Sequence, residues 1–117
     1  MDFSDNKPIY RQIVDMAFNE VLAGHWPPGA RIPSVRELSA ELGVNSRTVL
    51  KALEELQDMG LIAPRRGMGF FLADDAPARV TAERRRLFFD TTVPCLVAEM
   101  EALQITTDEL IKKIKSL

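Results

Sequence analysis

Between Pro33 and Leu53 the chain reads P-S-V-R-E-L-S-A-E-L-G-V-N-S-R-T-V-L-K-A-L, and this stretch constrains the fold more than any other. Ser34 followed three residues later by Glu37 forms a capping box: the hydroxyl accepts the Glu37 N–H while the carboxylate accepts the Ser34 N–H. Val35, Leu38 and Leu42 then share one helical stripe. Gly43 suits the left-handed conformation that closes a helix. Val44 seals the turn, and Asn45 is a strong N-cap for a second helix. The inner face of that helix is Val49, Leu53 and Leu56, with Ala52 beside them. A chain that ends one helix at Gly43 and restarts at Asn45 makes a sharp corner.

Asn45, Ser46, Arg47, Thr48 and Lys51 face outward on the first turns of the second helix. Such side chains can contact base edges and phosphates, as the second helix of a helix-turn-helix does. An ordinary helical hairpin with a solvated face competes with this reading. The residues beyond the corner decide between them. Gly60 is a natural stop, and the apolar runs Leu61–Ala63 and Phe70–Ala73 flank Arg65-Arg66-Gly67-Met68-Gly69. This is a β-hairpin whose tip tolerates positive φ. Directly behind a helix-turn-helix it is a wing, with arginines to grip phosphate and glycines that let backbone approach a groove closely. The R-G-x-G run lacks the glycine spacing and following helix of a phosphate-binding loop.

Upstream, Pro8 opens a helix with Tyr10, Ile13, Val14, Ala17, Val21 and Leu22 on its apolar side, ending near Ala23-Gly24. Gly24 to Pro33 is a turn-rich connection in which Trp26 is a packing anchor and His25 an exposed loop residue. Downstream, Asp74 to Pro77 is a junction. A helix from about Arg79 to Leu103 follows, with Pro94 inside it. Either the helix continues with a kink, losing its hydrogen bond to Asp90, or it breaks and restarts; the continuous form is expected. Thr106 with Glu109 caps a last helix, stapled by Ile105 and Leu110. The domain expectation is a winged helix-turn-helix over 1–75 and a two-helix tail over 76–117. The fold class is therefore mainly α with a small β-hairpin.

That tail is too short to sustain its own core, yet it is rich in apolar side chains. Phe89, Val93, Leu96, Val97, Met100, Leu103, Leu110 and Ile114 need a surface to cover them. A second copy does so best, because two helices from each subunit form a four-helix unit. Folding back on the winged domain is the alternative. A small-molecule pocket lined by Phe88, Phe89 and Arg84 to Arg86 competes with a solvated helix face for those arginines.

Apolar content of 46% with 27% charged residues is that of a globular chain. No apolar run reaches the roughly 20 residues that span a bilayer. The acidic, polar opening M-D-F-S-D-N-K-P is not a signal peptide, and the single Cys95 fits a reducing compartment, so a cytoplasmic location is expected. Residues 1–73 carry 8 basic and 9 acidic side chains. The cations Arg36, Arg47, Lys51, Arg65 and Arg66 nonetheless belong to one reading surface, which matters more than the sum. One histidine and one cysteine, with no carboxylate–base constellation, leave no inventory for an enzyme, and no metal or cofactor site is expected. A winged-helix module for protein contacts is the remaining competitor. It has no need of arginines gathered on one side.

P-I-Y-R-Q-I at 8–13, P-P-G-A-R-I-P-S-V-R-E-L-S-A-E-L-G-V-N at 27–45 and G-L-I-A-P-R-R-G-M-G-F-F at 60–71 resemble the winged helix-turn-helix of GntR-type bacterial transcription regulators. The short tail resembles that of the YtrA-like branch. The resemblance implies a cytoplasmic, homodimeric, operator-binding regulator, usually a repressor. The sequence itself does not reveal an effector. The resemblance places Arg36 at the family arginine of the second helix, Asn45 to Thr48 at the start of the recognition helix, and Gly67 to Gly69 at the wing tip. The chain departs from the pattern at Leu50-Lys51 and at Phe70. Lysine lacks the planar fork of arginine, so Lys51 reads as a phosphate contact rather than a bidentate base reader.

Overall fold

A computed structural model describes residues 7–117. The opening residues Met1 to Asn6, on which most of the signal-peptide reading falls, lie outside the described part. Helices α1 (Ile9–Leu22), α2 (Val35–Leu42) and α3 (Ser46–Asp58) precede strands β1 (Ile62–Arg65) and β2 (Gly69–Leu72). Helices α4 (Ala76–Leu87), α5 (Val93–Leu103) and α6 (Thr107–Lys115) complete the order. The chain divides into two compact units that meet between Thr81 and Ala82.

The corner forms as its caps dictate. Glu37 N–H donates to Ser34 Oγ at 3.1 Å, and Ser34 N–H donates to the Glu37 carboxylate at 3.2 Å. Gly43 closes α2 at φ 66°, and the Val44 carbonyl accepts the Ser39 hydroxyl. Asn45 Oδ1 accepts the Arg47 N–H at 2.8 Å, starting α3. The Glu37 carboxyl is held below its usual range, first by the Ser34 N–H, then by the Ser34 hydroxyl, with a smaller push from Arg31. A carboxyl whose folded pKa is lowered contributes stability above its unfolded pKa and loses it as pH falls through the folded value. The stability gap between wild type and Glu37→Ala in urea unfolding is thus expected to narrow on acidification; a gap that stays constant would contradict this cap.

One core joins α1, α2, α3 and the wing, with Ile13, Leu53, Leu56 and Val49 among its fully buried members. The inner face of α3 is the expected one. On α1 the stripe differs: Phe18 is buried and Leu22 is exposed, because the helix turns its last residue away from the core. Gln12 is also buried, satisfied by donating to the Lys7 carbonyl at 2.9 Å. Trp26 is buried, while His25 is exposed beside Glu20 at 3.0 Å.

The wing pairs Ile62 with Leu72 and Arg65 with Gly69. The proline-glycine connection contributes more than a turn. Ile32 N–H donates to the Phe70 carbonyl, Leu72 N–H to the Ala30 carbonyl, and Arg31 pairs with Phe71. β2 therefore lies between β1 and the segment 30–32. Three residues between prolines and glycine show no alternation, so this pairing is not legible locally.

α4 begins at Ala76, earlier than its periodicity indicates, with Pro77 in the first turn where the missing N–H has no helical partner to lose. Ala76 and Val80 are fully buried in the core of the first unit. In the second unit the helical backbone runs through Pro94 without a break. The residues Phe88–Thr92 form a π-helical turn, and Val93 N–H reaches back five residues to the Phe88 carbonyl. Widening the turn ahead of Pro94 accommodates a residue that cannot donate to Asp90. Gln104 closes α5 in the left-handed conformation at φ 58°, and Thr106 with Glu109 forms the capping box of α6. Among the described residues no helix is long and apolar enough to cross a membrane.

Candidate nucleic-acid interface

α3 is anchored by Val49, Ala52, Leu53 and Leu56, so helical geometry turns Ser46, Arg47, Leu50 and Lys51 outward. Arg47 and Lys51 are exposed and Thr48 is half-buried. These three residues line one open cleft of about 350 Å³, together with Ile9 and Tyr10 from the start of α1. The Lys51 ammonium lies over the Tyr10 ring, 4.2 Å from its centroid. Asn45 is exposed, but its Oδ1 is engaged in capping, leaving its amide NH₂ for outside contacts. Arg36 is exposed on the first turn of α2.

In the wing, Arg65, Arg66, Gly67, Met68 and Gly69 are all exposed. Arg65 and Phe71 are diagonal neighbours on one face of the ladder, and the guanidinium lies 3.8 Å from the ring centroid. Arg31, directly opposite Phe71, shares that face. A Cβ on Gly69 would stand 3.3 Å from Arg31 Nε, and its φ of 84° disfavours any other residue. The outer face of the wing therefore carries Arg31 and Arg65 about one aromatic ring.

Tyr10, Ile9 and Arg31 are the residues that sequence reasoning missed here. Tyr10 reads as part of an apolar stripe and is indeed half-buried against the core. Only its contact with a helix distant in sequence reveals a second use. Arg31 reads as a loop residue until its strand pairing is seen. Among the described residues no group of three His, Cys, Asp or Glu side chains is placed to hold a metal ion.

The family model for bacterial regulatory proteins of the gntR family matches residues 9–72, the span that holds the capped two-helix corner and the arginine-bearing wing. The chain belongs to the GntR family. Its GntR domain is a DNA-binding winged helix-turn-helix, and the chain is a transcriptional regulator rather than an enzyme. It is 32% identical over 114 residues to the uncharacterized HTH-type transcriptional regulator YhcF of Bacillus subtilis, covering 97% of this chain and 93% of that one. It is 38% identical over 76 residues to the HTH-type transcriptional repressor YtrA of Bacillus subtilis, covering 65% of this chain and 58% of that one. The structure resembles a GntR family transcriptional regulator from Listeria monocytogenes with a TM-score of 0.80 and 32% identity, over 98% of this chain and 99% of that one. A crystal structure of the AraR DNA-binding domain in complex with operator ORE1 matches 62% of this chain and 89% of that one, with a TM-score of 0.56 and 29% identity.

The second unit presents the apolar residues assigned to association unevenly. Phe89, Leu96, Val97, Leu103 and Ile114 are exposed, whereas Val93 and Leu110 are half-buried. Met100, assigned with them, is buried, at 9% exposure. Phe88 and Phe89 meet edge to face at 5.2 Å, and Arg86 pairs with Glu83 and Asp90 along its own helical run.

Proposed function

We propose that this GntR regulator is a cytoplasmic homodimer, associated through its C-terminal helices, that binds a pseudo-palindromic operator and represses transcription. The observation that carries the DNA half of this reading is the cluster of Arg47, Thr48 and Lys51 on the exposed start of a capped, core-anchored α3. In this reading α3 enters the major groove, Arg47 reads a base edge, Arg36 and Lys51 hold phosphates, and the wing residues Arg65 to Gly69 follow the backbone into the adjacent groove. A helix apolar on nearly every side supports the dimer. α5 carries only Glu99 and Glu101 as charged residues, yet buries only Met100. Such helices are ordinarily covered. Repression is the role named for the YtrA relative.

Selection of bound duplexes from random oligonucleotides tests both halves at once. The expected result is an inverted repeat with half-sites about 10 base pairs apart, or a multiple of that. A single unrepeated site would count against the dimer. Absence of any enriched sequence would favour a protein-contact module. On the selected duplex, Arg47→Ala is expected to weaken binding by about 1–3 kcal/mol and to relax preference at one position. Equal loss on specific and random duplex would make Arg47 a phosphate contact instead.

A further inference from the structure

Tyr10 and Lys51 belong to different helices, and their contact is built rather than incidental. The usual partner for a lysine on a helix is a carboxylate one turn away, and Glu55 stands four residues beyond Lys51. That carboxylate is already occupied by Arg11 of α1, 2.6 Å away. Glu54, three residues beyond Lys51, makes no ion pair with it among the described residues. Successive residues of α1 thus do two things: Arg11 engages the i+4 acid, and Tyr10 offers its ring face to the Lys51 ammonium at 4.2 Å. Among the described residues Lys51 makes no ion pair. A cation over an aromatic face is held by the ring quadrupole without being neutralised, so its charge stays available to an anion.

We infer that Tyr10 is a positioning residue for DNA binding: its ring holds the Lys51 ammonium on the wall of the cleft beside Arg47, ready for a backbone phosphate. The inference rests on the DNA-binding reading above. Lysine has a long, flexible stem, and a phosphate contact made by a free one loses much rotamer freedom. A side chain already resting on a ring loses less. The cleft supplies the place, since Thr48 and Arg47 line it with Lys51 and Tyr10.

The test is a double-mutant cycle on the full chain, titrated with the duplex recovered by selection. Tyr10→Leu is expected to weaken binding about two- to tenfold, the range of ordering one rotamer-rich side chain on binding. Tyr10→Phe, which keeps the ring, is expected to bind like wild type. In a Lys51→Ala background, Tyr10→Leu is expected to cost nothing further. Equal losses from Tyr10→Leu in both backgrounds, or a Phe variant as weak as the Leu variant, would overturn the inference. A second measurement needs no DNA. The Lys51 ε-methylene proton resonances are expected upfield in wild type and Tyr10→Phe through the ring current; unshifted resonances in wild type would also overturn it. Shifted resonances in a wild-type protein that binds no duplex would show instead that the DNA-binding reading is wrong, and the positioning role would fall with it.

Discussion

A chain carrying Val97→Glu and Leu103→Glu is expected to sediment as a monomer and to bind its operator about 10²- to 10⁴-fold more weakly than wild type. Both side chains are exposed, at 44% and 61%, on the helix with the fewest charges of the second unit. Single apolar residues on a surface are ordinary. Here Phe88, Phe89, Leu96, Val97, Leu103, Ile105, Ile111 and Ile114 are all exposed within the last 30 residues. Burying a carboxylate in an interface made of such residues carries a desolvation cost that no partner offsets. The binding loss arises because each half-site then has to be held by one subunit alone. Neither position belongs to the core of the first unit, so wild-type and variant chains should unfold that unit alike. A variant that remains dimeric would place association elsewhere. One that is monomeric with undiminished affinity would show that the operator is read by single chains.

Leu53→Ala has the second large effect, and it acts on folding. Leu53 is fully buried on α3, in the cluster that joins α1, α2 and the wing. Truncating a core leucine costs about 2–5 kcal/mol, from lost transfer energy and the cavity left behind. That is a large share of the roughly 5–15 kcal/mol that stabilises a domain. Leu50, on the same helix and 41% exposed, is the internal control, and its truncation should stay near the ±0.5 kcal/mol typical of surface sites. Urea unfolding of the two variants separates the burial effect from any change in helix propensity, which both substitutions share. Similar losses at the two positions would mean that α3 is not anchored as described.

Much of the first unit is legible residue by residue because its helix ends are chemically marked. Ser34 with Glu37, Gly43 and Asn45 each act within three or four residues, as Thr106 with Glu109 does in the second unit, and local hydrogen bonding is sufficient to specify them. The wing is legible for the same reason: glycines at 67 and 69 take the positive φ that a tight tip requires. The less legible features depend on partners distant in the chain. Nothing near Arg31 announces that it pairs with Phe71. Periodicity alone does not separate Phe18 from Leu22 at the end of α1. For Pro94 the sequence predicts a lost hydrogen bond; the form of the remedy, a π-helical turn over Phe88–Thr92, depends on how the whole helical run is accommodated.

The corner between Pro33 and Leu53, its caps, its buried stripe and the basic residues it turns outward were determined by the sequence itself, because helix capping and helical periodicity are short-range physics. The tertiary structure decided what stands beside that corner. It set Tyr10 under Lys51 and Arg11 against Glu55, both contacts between helices whose residues are far apart in the chain. It also placed Ala76 and Val80 in the first core and buried Met100. Packing selects among the faces that periodicity leaves equivalent, and only in the folded chain is that selection made.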